Sequence, residues 1–233
     1  MRCSRIAATY LIICVMAATA QADPLATYDF ATDLSASGVP AGISATDAVN
    51  NMGTGFSTED ITITNLAGAN AINPVLRMQN IHIDIDDGLS FPDPAVSESY
   101  WSISLTGQGA NTLDVDALDF DFGPGGTSRR GYVLTYSTDS FATHTVLDPF
   151  VAPLSGSASA ADFEHYTYSG LGITDAAEVE FRWYTFANDD TGRNMFWDNV
   201  VVDGSLNVIP EPNTIALVLL GSLGALVVRR SRS

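Results

Sequence analysis

Between Asp23 and Asn207 the chain sustains no helical spacing of apolar residues. It alternates apolar and polar positions in short runs, broken by Gly, Pro, Asn, Asp and Ser. A period of two marks a strand with one buried face. Thr27-Tyr-Asp-Phe30 is the first run, and a Gly- and Ala-rich stretch then continues to Ser57 with no regular element predicted. Ile61–Leu66 and Ile81–Asp86 alternate cleanly, and Ser99–Thr106 puts Trp101, Ile103 and Leu105 on one face. Leu113, Val115 and Ala117 hold one phase, whereas Leu118, Phe120 and Phe122 hold the other. Such a slip at Ala117–Leu118 predicts a β-bulge. Gly123-Pro-Gly-Gly126 is predicted to turn the chain. Gly131–Ser137, Thr145–Leu147, Phe163–Tyr168, Val179–Phe186 and Met195–Val202 follow as strands. About ten short strands without helices predict an all-β, antiparallel β-sandwich.

The two ends read differently. Met1–Arg5 is a short positive segment, Ile6–Thr19 is apolar, and Ala20-Gln-Ala22 is a small-x-small cleavage site. Residues 1–22 are therefore predicted to be a signal peptide, with Asp23 the mature N-terminus. Residues 208–233 hold, in order, Pro210-Glu211-Pro212, an uncharged run from Ile215 to Val228, and the basic residues Arg229, Arg230 and Arg232. Proline stiffens Ile209–Pro212 into an extended, accessible segment. The apolar run predicts one hydrophobic transmembrane helix, its C-terminal end kept in the cytoplasm by the arginines. At ~1.5 Å per residue this stretch reaches only ~21 Å, against a hydrocarbon core of ~30 Å. That shortness suits transient insertion better than a lasting anchor.

This order of parts resembles the PEP-CTERM sorting signal of Gram-negative bacteria, with Ile209 where Val is commoner before the motif. The resemblance implies export through the Sec machinery and across the inner membrane, then a membrane-anchored intermediate. Exosortase would next remove the tail, leaving the protein at the cell surface or outside the cell. Two further stretches, Leu118–Ser128 with Tyr132–Phe141 and Val179–Tyr184 with Trp197–Gly204, resemble strands of jelly-roll domains in the lectin-like and galactose-binding-like classes. That likeness implies a last strand, near Asp198-Asn-Val200, lying beside the first. Residues 23–207 are thus expected to form one jelly-roll-like ectodomain.

Composition sharpens this picture. Cys3 and Cys14 both fall in the signal peptide, so the exported domain has no thiol. All ten basic residues are arginine, and five of them lie in residues 1–22 and 213–233, which leaves five against 27 carboxylates and a formal charge near −22 for Asp23–Pro212. A domain so acidic repels nucleic acid and anionic lipid and attracts divalent cations.

Candidate chemistry is sparse. Asp84, Asp86 and Asp87 before Gly88 do not form an EF-hand loop. Asp114, Asp116, Asp119 and Asp121 read as a solvated sheet face, and Asn188-Asp-Asp190 as an acidic turn. If the last strand runs beside the first, Asp198 approaches Asp29, and the pair is a candidate for a structural Ca²⁺, a hard cation that takes oxygen ligands. His82, His144 and His165 are scattered, no serine sits in Gly-x-Ser-x-Gly, and Glu178 and Glu180 beside Arg182 read as a cross-paired surface. Trp183, Tyr184 and Trp197 are candidates for stacking on sugar, with Tyr100, Tyr166 and Tyr168 behind them. No cofactor is expected beyond that calcium. The expectation is a non-catalytic extracellular protein associated with the exopolysaccharide matrix. A carbohydrate-binding module or lectin-like protein is the alternative.

Overall fold

The computed structural model describes residues 23–51, 61–64, 74–79, 100–148, 154–156, 163–187 and 194–209. The expected signal peptide, the strand expected at Ile81–Asp86, the acidic turn expected at 188–190, the Pro210–Pro212 motif, the apolar run and the three terminal arginines lie outside them.

One long strand, β7 (Thr112–Ser137), belongs to both sheets and joins them. In the first sheet its N-terminal half pairs with β12 (Asn194–Asn207) on one side and β10 (Glu164–Ala176) on the other. Beyond β12 lie β1 (Asp23–Tyr28) and, further along the same edge, β5 (Val75–Gln79) with β4 (Thr62–Thr64) outside it. In the second sheet the C-terminal half of β7 pairs with β11 (Glu178–Ala187), which pairs with β6 (Tyr100–Gly107). Short strands close the edges: β2 (Ile43–Ala45) and β3 (Val49–Asn51) on β6, β8 (Thr145–Asp148) and β9 (Leu154–Gly156) on β7. Every pairing is antiparallel, and the described residues contain no helix. The arrangement is an all-β sandwich, with the last strand beside the first.

Three differences from the sequence reading have local causes. Gly123-Pro-Gly does not reverse the chain: Gly123, Pro124 and Gly125 stay paired opposite Phe196, Met195 and Asn194. Glycines allow a strand to bend sharply as readily as to turn, and here they carry β7 from one sheet into the other. The expected slip in β7 is present but sits slightly earlier, because Val115 faces Gly204 while Ala117 faces Asp203 and leaves Asp116 as the extra residue. Backbone crowding at this bulge explains the glycine opposite, since a Cβ on Gly204 would lie 2.0 Å from the Asp114 carbonyl oxygen. Finally, β2 and β3 occupy the stretch expected to be irregular, and β5 was not anticipated.

The alternating residues of β6, β7, β11 and β12 meet between the sheets. Trp101 and Trp183 stack with centroids 4.0 Å apart, Trp197 stands edge-on to Trp101 at 5.3 Å, and Phe120 stands edge-on to Trp183 at 5.6 Å. All four side chains are fully buried. Offset and edge-to-face contacts suit the ring quadrupole, so this aromatic layer is the centre of the core.

Candidate functional site

Strand pairing brings one polar side chain from each of four neighbouring strands to one level of the first sheet's outer face. Asp198 of β12 pairs opposite Asp121 of β7, which pairs opposite His165 of β10, and Asp29 follows the end of β1 beside β12. The His165 ring lies 2.8 Å from Asp121 Oδ1 through Nδ1. Asn199, held at φ = 50° in the β12 bulge, donates its side-chain amide to Asp121 Oδ2 at 2.8 Å. Asp198 is 5% exposed, and the hydrogen bond from the Asn199 backbone N–H to its Oδ1 is 2.8 Å long. Burial, followed by the charges of Asp121 and Asp29, pushes the Asp198 carboxyl up to about 6. Burial also raises Asp203, along with the charges of Asp119 and Asp116.

Asp29 lies near enough for its charge to raise the Asp198 carboxyl. Ca²⁺ takes about six to eight oxygens, and among the described residues no three acidic, His or Cys side chains are placed to hold a metal ion. The sequence read Asp121 as part of a solvated face and His165 as isolated, because only the register of three strands brings them and Asn199 to Asp198.

The sugar-stacking candidates need a plainer correction. Trp183 and Trp197 are fully buried between the sheets, and Tyr184, on the opposite face of β11, is 1% exposed with its ring 5.1 Å from Tyr100. None of the three offers a face to a ligand. The reason is general: a large apolar ring on a strand stabilises the fold most by being buried. Glu180 and Arg182 pair as expected, with Arg182 Nε donating to Glu180 Oε1 at 2.7 Å.

A second feature, at the opposite end of β7, has the form of a binding site. A half-open groove of about 430 Å³ runs between the end of β7, the start of β8 and the last residues of β10. Tyr136, Thr138, His144, Thr145, Thr174 and Asp175 line it. One wall is the loop 138–144. The Asp139 carboxylate accepts hydrogen bonds from Ser137 Oγ at 2.7 Å, Thr143 Oγ1 at 2.7 Å and the Thr143 backbone N–H at 2.9 Å, which hold its pKa down to about 2. These bonds carry Ser140 and Phe141 through φ values of 56° and 61°. Phe141 then covers the Arg182 guanidinium at 3.4 Å and faces the His144 ring at 6.2 Å.

The opposite wall is made by two successive register shifts in β10, on either side of Ile173. Asp175 has φ = 52° there, and its backbone N–H donates to Asp114 Oδ1 at 2.8 Å. Its Oδ1 also accepts from Asn207 Nδ2 at 3.4 Å, which ties the groove to the end of β12. Nothing in the periodicity of residues 163–176 announced these bulges.

No family model and no curated protein matches the chain. Among solved structures, the K1 cleaved adhesin domain of Lys-gingipain from Porphyromonas gingivalis W83 is similar at 14% identity and a TM-score of 0.39, over 76% of this chain and 95% of that one. The C-terminal family 22 carbohydrate-binding module of Clostridium thermocellum Xyn10B is similar at 12% identity and a TM-score of 0.38, over 78% and 95%. A family 11 carbohydrate-binding module of the Clostridium thermocellum cellulase Lic26A-Cel5E is similar at 13% identity and a TM-score of 0.36, over 81% and 97%. Likeness at this level transfers no ligand and no activity.

Proposed function

We propose that the chain is an exported, non-catalytic β-sandwich that a PEP-CTERM-type tail delivers to the cell surface, where it works in the polysaccharide matrix. The observation that carries this reading is the fit between the folded body and the two expected addresses. Asp23, the residue after the expected signal cleavage, already pairs opposite Gly204 of β12. Strand β12 ends at Asn207, three residues before the Pro210–Pro212 motif. The chain therefore enters and leaves the sandwich at one end. Val208 and Ile209 are 66% and 52% exposed there, so the approach to the motif is open to a processing enzyme. Removing both addresses would leave every described strand intact.

In this reading Sec carries the chain across the inner membrane, the apolar run holds it there, and exosortase releases it. The excess of carboxylates favours weak, cation-bridged contacts with matrix polysaccharide, which many sites together make effective. In a host that makes the sorting enzyme, the mature protein is expected to begin at Asp23 and to lack Ile215–Ser233. Intact-mass measurement of the surface fraction checks this, and a surface form that keeps the apolar run sinks it. Carbohydrate binding is the second reading, favoured by the groove at the β7–β10 end.

A further inference from the structure

We propose that the groove between Tyr136, the 138–144 loop and the bulged end of β10 binds a neutral, hydroxyl-rich ligand, a short stretch of uncharged glycan. This rests on the matrix reading above and adds to its cation-bridged surface contacts a separate site for uncharged chains. Four observations converge. The groove's volume, about 430 Å³, falls in the usual range for small-molecule sites. Its lining is rich in unclaimed polar groups: Thr138, Thr145, Thr174 and the His144 imidazole form no side-chain hydrogen bond among the described residues. Three hydroxyls that both donate and accept, one imidazole and the Asp175 carboxylate match the vicinal hydroxyls of a sugar. Tyr136, partly buried with its ring 6.2 Å from Phe181, adds an apolar wall for the sugar's C–H face.

The fourth observation is that both walls are held in costly conformations. Ser140, Phe141 and Asp175 account for three of the five non-glycine residues at positive φ among those described. Non-glycine residues seldom hold this backbone, and a bulge next to a site serves to re-aim a side chain. Here the two register shifts in β10 set Thr174 and Asp175 at the groove. Charge selects the ligand. Asp175 lies in the groove, no Arg lines it, and the domain as a whole is strongly acidic, so a uronic or sulfated chain is repelled.

The test is a glycan array probed with the full-length chain in mild detergent, followed by titration of the best neutral oligosaccharide into wild type, Asp175→Asn and His144→Ala. Asparagine tolerates the left-handed backbone of position 175, so the first variant keeps its fold, and His144 is a surface residue. Each variant is expected to bind at least tenfold more weakly with an unchanged Tm. Binding that survives in both variants overturns the groove as the site. Preference for acidic over neutral glycans overturns the ligand class. If no glycan binds while the native protein still fractionates with the matrix, the groove proposal fails and the sorting reading stands; if it does neither, both fall.

Discussion

Replacing Trp183 by alanine is expected to destabilise the sandwich by about 3–5 kcal/mol, which lowers Tm by roughly 10 °C in a domain of this size. The indole is fully buried, lies flat on Trp101 at 4.0 Å, and meets Phe120 edge-on at 5.6 Å. Truncation would remove all three contributions at once: buried apolar area, ring contacts and filled volume. The rings that meet Trp183 (Trp101, Phe120 and Phe181) sit on three different strands across the two sheets, which limits how far the site can collapse. Val49→Ala serves as the contrast, since that side chain is 50% exposed and its loss falls within about 0.5 kcal/mol. Thermal unfolding followed by circular dichroism checks both. A Tm change for Trp183→Ala no larger than for Val49→Ala would show that the aromatic layer does not hold the sheets together.

That same layer shows where the sequence was informative. Trp101, Ile103 and Leu105 alternate over an uninterrupted stretch, and β6 buries all three. The slip in β7 was visible because five large apolar residues straddle it. Strands β2 and β3 were not visible, because each has three residues, too few for a period of two to show. The Gly-Pro-Gly of β7 misled for a different reason. Local chemistry permits a turn or a bend, and pairing with β12 decides between them.

Site residues divide the same way. Asp29 and Asp198 could be brought together on paper by one topological guess. The groove could not, because it depends on bulges in β10 that follow from register with β7 and not from any local pattern. Trp183 and Trp197 were misjudged because strand alternation alone does not say which of two faces is covered. The second sheet buries side chains on both, with Trp183 on one side and Tyr184, Val133 and Thr135 on the other.

Asp198→Asn is expected to stabilise the protein at neutral pH. Asp198 is 5% exposed, and burial with the nearby Asp121 and Asp29 charges raises its carboxyl from 3.8 to about 6. A carboxyl with a raised folded pKa binds its proton more tightly in the native state than in the unfolded chain. Stability from this group is therefore greatest below pH 4, falls as pH rises from about 4 to 6, and stays low above that. The rise from 3.8 to about 6 corresponds to roughly 3 kcal/mol. Asparagine removes the charge while its Oδ1 can still accept the 2.8 Å bond from the Asn199 backbone N–H. The variant should thus melt several degrees above wild type at pH 7 and lose that advantage by pH 4. If repulsion between the carboxylates alone sets this cost, the gain should be the same in chelator and in Ca²⁺. A bound Ca²⁺ would reverse the pattern, since a cation saturated a hundredfold above its Kd stabilises by about 2.7 kcal/mol. Wild type would then melt higher with Ca²⁺ than with chelator, Asp198→Asn would show no such difference, and carboxylates repelling one another without a cation would be the wrong account of this row.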